Sequence, residues 1–127
     1  MPRVKIETTL PVERTASSAL MDDVMDVIVT VLRIPPDDRN ISFIAHDEEF
    51  FRMKPPYRFF IEIMLFSGRS KETKKLLYRS LLDRLFEKHR IERETVLILL
   101  NEQPRENWGL RGGIPGDEID LGYRIDI

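Results

Sequence analysis

The chain contains no cysteine, which excludes disulfide bridges, thiolate nucleophiles and thiolate metal ligands. Histidine is nearly as scarce: only His46 and His89 occur, far apart and without helical metal-ligand spacing around either, so no metal centre is expected. No apolar run approaches the roughly 20 residues that cross a bilayer, and the opening MPRVKIETTL lacks a secretory apolar core. The expectation is a cytoplasmic protein with no membrane partner. Charge of one sign is missing too, since 20 basic residues face 22 acidic ones for a net charge of -2. That balance argues against a general attraction to nucleic acid or anionic lipid, so a bound anion must be held by local basic groups.

What is present is a length of 127 residues with 42% hydrophobic and 33% charged residues, the make-up of one domain with a genuine core. The chain also repeats itself. The segment from Arg3 resembles that from Arg58 at a constant spacing of 55 residues, through Arg3/Arg58, Ile6/Ile61, Glu7/Glu62, Arg14/Arg69 and Thr15/Ser70. In the first copy Val4, Ile6 and Leu10 alternate with polar residues, the period of a strand with one buried face. Ala16, Leu20, Val24, Val27, Ile28 and Val31 then recur at helical spacing, opposite Asp22, Asp23 and Asp26, with Thr15 as the N-cap. Pro35 and Pro36 stop this helix near Ile34, and Ile41 to His46 reads as a second strand.

In the second copy Phe59 to Phe66 is almost wholly apolar, which predicts a central strand covered on both faces. Its one carboxylate, Glu62, then needs a partner. Phe59 and Phe60 are adjacent and point to opposite faces, which argues against a stacking platform for RNA bases. Ser70 caps a helix with Glu72 in its first turn and Leu77, Leu81 and Leu85 as its packing stripe. Thr95 to Leu100 is the closing strand, and Arg52 to Tyr57, with Pro55 and Pro56, is a linker between the copies. After a glycine-bearing stretch, Ile119, Leu121, Tyr123, Ile125 and Ile127 alternate with polar residues or glycine. That pattern predicts a C-terminal strand whose apolar face pairs with another subunit.

The residue with unusual chemical potential is Pro2. A small second residue lets methionine aminopeptidase remove Met1, leaving a secondary amine that can act as base, acid or nucleophile. An ordinary α-amino group titrates at roughly 7.7 to 8.0, and burial or a nearby cation lowers that value towards neutrality, where general-base catalysis is efficient. With Met1 retained, Pro2 is a tertiary amide and has no such chemistry.

Across nearly its whole length the chain resembles the tautomerase superfamily, nearest the long-chain branch that includes malonate semialdehyde decarboxylase. The segments that carry the resemblance are MPRVKIE, Ile34-Pro35-Pro36-Asp37-Asp38-Arg39, GRSKETKKLLYRSL from Gly68, and Asn107-Trp108-Gly109-Leu110. The resemblance implies an α+β fold in which two tandem β-α-β units form a four-stranded mixed sheet with two helices on one face, assembled as a homotrimer. The first unit spans about 2–50, the second about 58–101, and an interface tail about 102–127 of a single domain 1–127.

It further implies an amino-terminal Pro2 at the floor of a small apolar pocket, with Arg69 holding a substrate carboxylate at a helix N-terminus. Asp38 matches a carboxylate that orients or activates water, and Trp108 matches an aromatic pocket wall. Ser67 stands where the decarboxylase pattern has a second arginine, so Arg111 or Arg105 is the candidate substitute. The expected activity is tautomerisation of a small 2-oxo or 2-hydroxy-dienoic acid, without cofactor, with Pro2 as base. The alternatives are a decarboxylase or hydratase using cationic Pro2 with Asp38, and a non-catalytic trimeric binding module on the same fold.

Overall fold

The computed structural model describes residues 1–9 and 12–127; Leu10, expected in the first strand, lies outside them. Strand β1 (Pro2–Thr9) leads to helix α1 (Arg14–Leu32) and strand β2 (Ile41–His46). After the linker, β3 (Phe59–Phe66), α2 (Lys71–His89) and β4 (Val96–Gln103) repeat the pattern. A small antiparallel hairpin, β5 (Gly109–Leu110) and β6 (Ile114–Pro115), follows. The main sheet runs in the order β2-β1-β3-β4, with β1/β2 and β3/β4 parallel and β1/β3 antiparallel.

The repeat seen in the sequence is a symmetry of this sheet. Val4 faces Ile41 in the first unit and Phe59 faces Val96 in the second, both partners 55 residues on from their counterparts. Ile6 and Ile61, a matched pair in the sequence, sit directly opposite each other where the two units meet. The helices, each 19 residues long, depart from the spacing: α1 begins at Arg14 but α2 at Lys71, two residues beyond Arg69. The spacing of 55 is unchanged on both sides of the helices, so no residue is added; the later start of α2 leaves Arg69 in the Ser67–Ser70 loop, whereas Arg14 is helical. Arg14 opens an exposed first helical turn, whereas Arg69 is buried in a loop.

Burial follows the two periods. Val4 and Ile6 of β1, with Ile61, Ile63 and Leu65 of β3, point beneath the helices. Leu20, Val24 and Ile28 of α1 and Leu77, Leu81 and Leu85 of α2 meet them at helical spacing. Each such side chain contributes about 1.5–3 kcal/mol on removal from water. Helix α1 ends at Arg33, whose φ of 54° is the left-handed C-cap conformation, just before the two prolines.

Two expectations need correction. Thr15 is not the N-cap of α1; Glu13 holds that position, and the Thr15 hydroxyl donates to its carboxylate at 3.0 Å. Strand β3 is covered on one face only within the chain, because both helices lie on the same side and leave Phe60, Glu62 and Met64 half-buried. Glu62 has the expected partners there, accepting from Asn101 Nδ2 at 3.2 Å with Lys5 Nζ 3.7 Å away.

Residues 119–127 join no strand ladder within the chain, and the pairing expected of them is with another subunit. Their alternation is real, since Ile119, Leu121, Tyr123, Ile125 and Ile127 turn inward and the residues between are exposed. The segment bends at Gly122, where φ is 76° and the Asp120 carboxylate accepts the Gly122 N–H at 3.0 Å. Beyond that turn the segment lies across the Ser67–Ser70 loop, with the Ile127 carbonyl accepting Ser70 N–H at 2.8 Å.

The helices are also joined by polar contacts. Asp23 of α1 accepts from Arg84 at 3.1 Å and lies 2.7 Å from His89 Nε2. Burial raises the Asp23 pKa, but the hydrogen bonds from His89 and Arg84 outweigh it and the net shift is downward from 3.8. A depressed carboxylate pKa contributes stability above the unfolded value that is lost as pH falls through the folded one. Asp23→Asn should therefore cost roughly 1 kcal/mol at neutral pH. Urea melts of both proteins should converge below pH 3.8; an equal gap at all pH values would refute this account.

Candidate active site

The site begins where the sheet puts the amino terminus. Pro2 is the first residue of β1, a place where a strand tolerates the missing N–H. It is buried and faces Leu65 at the far end of β3. The chain start thus lies beside the loop that leaves β3, which carries Arg69.

Asp38 arrives from the turn after α1, where its N–H bonds to the Pro35 carbonyl at 3.0 Å. Asn40 fixes it in place: its side-chain amide donates to Asp38 Oδ1 at 3.3 Å and to the Pro2 carbonyl at 3.2 Å. The Asn40 carbonyl in turn accepts Val4 N–H at 2.8 Å. The Met1 ammonium, one residue ahead of the Pro2 nitrogen, meets Asp38 Oδ2 at 2.9 Å and donates to the Tyr123 hydroxyl at 2.8 Å. Burial lowers the pKa of this amine from 8.0, Asp38 opposes the shift, and the charge of Arg69 adds to it.

Arg69 is 7% exposed. Its Nη1 donates to the Phe66 carbonyl at 3.0 Å, and its Nε is buried with no hydrogen-bond partner among the described residues. Burial works against its charge, while Tyr123 and Glu102 support it. A buried guanidinium with a donor to spare is suited to an incoming carboxylate. Tyr123, half-buried, has its pKa raised by burial and then by Asp38, so its hydroxyl keeps its proton.

A cleft of about 390 Å³ opens over this group, lined by Met1, Asp38, Leu110, Arg111, Leu121 and Tyr123. A second cleft of about 460 Å³ lies across the tail, with Ser67, Gly68 and Arg105 on its wall. Ile119, Leu121 and Tyr123 line both, so the tail divides one groove in two.

Of the residues singled out from the sequence, Pro2, Asp38 and Arg69 therefore come together, and Arg111 stands exposed on the cleft rim with φ of 47°. Pro2 and Arg69 lie beneath the surface and, like Trp108, line neither cleft. Trp108 packs edge-on to Phe66 at 5.2 Å between ring centroids, with its indole N–H buried and unpartnered among the described residues. Arg105 is committed elsewhere, donating to the Gly116 carbonyl at 3.0 and 2.7 Å and to that of Ile119. Tyr123 and Asn40 were missed as site residues. Tyr123 was read only as one apolar position of a strand, although it carries the single hydroxyl in that alternating set.

A family model described as tautomerase enzyme matches residues 38–111. The chain belongs to the tautomerase enzyme family. Solved structures agree on the fold. The tautomerase chain matches FG41 malonate semialdehyde decarboxylase inhibited by 3-bromopropiolate at 24% identity, TM-score 0.77, over 86% of this chain and 88% of that one. It matches Pt0534 inactivated by 2-oxo-3-pentynoate at 19% identity, TM-score 0.81, over 91% and 97%. A fused 4-OT symmetric trimer matches at 15% identity, TM-score 0.81, over 95% and 98%.

The hairpin that holds Trp108 in this tautomerase depends on Gly116. A Cβ there would lie 2.6 Å from the Arg105 carbonyl oxygen and 3.5 Å from Trp108 Cβ, too close without backbone movement. Gly116→Ala should shift the hairpin and expose the lone tryptophan. A red shift of its fluorescence is the expected result, and an unchanged spectrum with unchanged melting would contradict the packing described.

Proposed function

We propose that, with Met1 removed, the protein is a cofactor-independent tautomerase of small 2-oxo or 2-hydroxy-dienoic carboxylic acids with Pro2 as general base. The observation that carries this reading is the environment of the chain start. Burial is the largest influence on the Met1 amine, one residue ahead of the Pro2 nitrogen, and favours its neutral form, outweighing Asp38; a Pro2 amine in the same surroundings is disposed the same way. A neutral secondary amine has a lone pair for proton transfer at neutral pH.

In the proposed cycle Arg69 binds the substrate carboxylate and Pro2 takes the proton of the 2-hydroxyl group. The electron pair left on oxygen forms the carbonyl, the carbon–carbon double bond shifts, and Pro2 returns the same proton to carbon. One proton moves and no cofactor is needed. Met1 occupies the space the substrate would enter, and Arg111 at the rim is the available second cation for a dicarboxylate, in place of the arginine absent at Ser67.

A second reading, a decarboxylase or hydratase with cationic Pro2, is favoured by the 2.9 Å contact of Asp38 with the terminal ammonium. In that chemistry Asp38 is indispensable. In tautomerisation it tunes the amine and its loss is milder.

The assembly proposed is a homotrimer. Leu97 and Leu99, 37% and 47% exposed, lie on β4, and Phe60 and Met64 lie half-buried on the helix-free face of the sheet. Apolar area of this kind is suited to burial between subunits, and the fused 4-OT relative is a symmetric trimer. Light scattering at micromolar concentration should give three times the chain mass; a stable 15.0 kDa species would refute the trimer.

The catalytic test starts with intact mass, which should be lower than the full chain by one methionine residue. Pro2→Ala should then lower kcat for phenylenolpyruvate or 2-hydroxymuconate about 10²- to 10⁴-fold with the fold kept. Equal rates would exclude Pro2 as the base. The parent rate should rise with pH as the amine loses its proton, and a rate that falls as pH rises would favour the cationic reading. Retention of Met1 in the protein's own host would favour the non-catalytic module.

A further inference from the structure

We propose that Tyr123 is a further substrate-binding residue of this site, donating its hydroxyl hydrogen to the oxygen on carbon 2 of the substrate, with the tail 119–127 as its mount. The proposal rests on the tautomerase reading above and adds a second point of recognition to it. Arg69 takes the carboxylate; Tyr123 takes the neighbouring oxygen. The substrate class narrows accordingly to acids whose carbon next to the carboxylate bears a carbonyl or enol.

The geometry comes from the position Met1 vacates. The Met1 nitrogen is held by two oxygens, Tyr123 at 2.8 Å and Asp38 at 2.9 Å. Asp38, as a carboxylate, only accepts hydrogen bonds, whereas a phenol also donates. When a substrate oxygen replaces the ammonium, Tyr123 is therefore the member of this pair that can bind it. Burial supports the role by keeping the phenol protonated. As Pro2 removes the hydroxyl proton, negative charge grows on that oxygen and the hydrogen bond strengthens. Tyr123 gives up no proton, so the single proton carried by Pro2 still accounts for the whole reaction.

The tail is built to place this side chain. On one side of Tyr123, Ile119 is 8% exposed and its carbonyl accepts from Arg105. On the other, the Ile127 carbonyl accepts Ser70 N–H at 2.8 Å, at the N-cap of α2. Between these anchors Ile125 sits on Gly68, where a Cβ would come within 2.9 Å of Ile125 Cγ2, and Gly68 has φ of 135°. The loop that carries Arg69 is thus also the seat of the tail. The turn at Gly122 then aims Tyr123 at the amine.

The test uses the full chain and oxalate, a stable carboxylate whose second carbon bears oxygen, as the probe. Tyr123→Phe should weaken oxalate binding by calorimetry at least tenfold and lower kcat for phenylenolpyruvate by about 10²-fold, the effect of losing one such donor. Pro2→Ala should keep oxalate affinity while losing turnover, so the two ideas separate. Unchanged oxalate affinity in Tyr123→Phe overturns the Tyr123 role even where Pro2 is confirmed. Turnover retained by Pro2→Ala overturns the base assignment, and the oxalate comparison still decides Tyr123. Failure of the parent to bind oxalate counts against the proposal. Ile125→Ala supplies the second variant should Tyr123→Phe not fold: weaker oxalate binding with a cooperative melt is expected, and parent-like affinity overturns the mounting role.

Discussion

The antiparallel contact of β1 with β3, centred on Ile6 opposite Ile61, is the constraint on which the remaining structure depends. Given that register, each unit adds its parallel strand at the same offset and both helices fall on one side of the sheet. The same register sets Pro2 opposite Leu65 and so beside the loop from β3 to α2. A slip of one residue would reverse every side chain of β1, exposing Val4 and Ile6 and burying Lys5 and Glu7. Packing of the core and placement of the amine are one requirement.

Around the amine the opposing forces are unequal. Burial and the charge of Arg69 favour the neutral form; Asp38 favours the ammonium. Malonate semialdehyde decarboxylase and fused 4-OT structures share the fold, and this balance is a physical variable through which one scaffold can serve either base or acid chemistry. In this chain Ser67 contributes no second guanidinium beside Arg69, which limits the positive charge near the amine. The cleft offers Arg111 at its rim and Tyr123 on its wall.

The two units have also diverged in an informative way. The later start of α2 turns the counterpart of Arg14 from an exposed helical residue into the buried Arg69. Gly68, with φ of 135°, makes that loop possible and leaves room for Ile125. A two-residue shift in where the helix starts, with no change in spacing, thus accompanies the buried guanidinium and the seat for the tail.

The sequence by itself determined the elements whose signal is local. Period two marked β1, apolar content and the repeat marked β2 to β4, helical spacing marked α1 and α2, Ser70 announced the α2 cap, and the 55-residue spacing anticipated a register that the sheet then displayed. Pro2 stood out by its place after Met1, and Asp38 and Arg69 through the resemblance of the segments that carry them. The tail was not legible. Alternation tells which side chains turn inward but not what they turn towards, and nothing near Tyr123 in sequence signals an amine 122 positions away. Likewise Arg105 and Trp108 looked available until the hairpin occupied them with carbonyls and with Phe66. Those outcomes depend on contacts between distant segments, whose geometry exists only after the core has packed, so tertiary structure alone decided them.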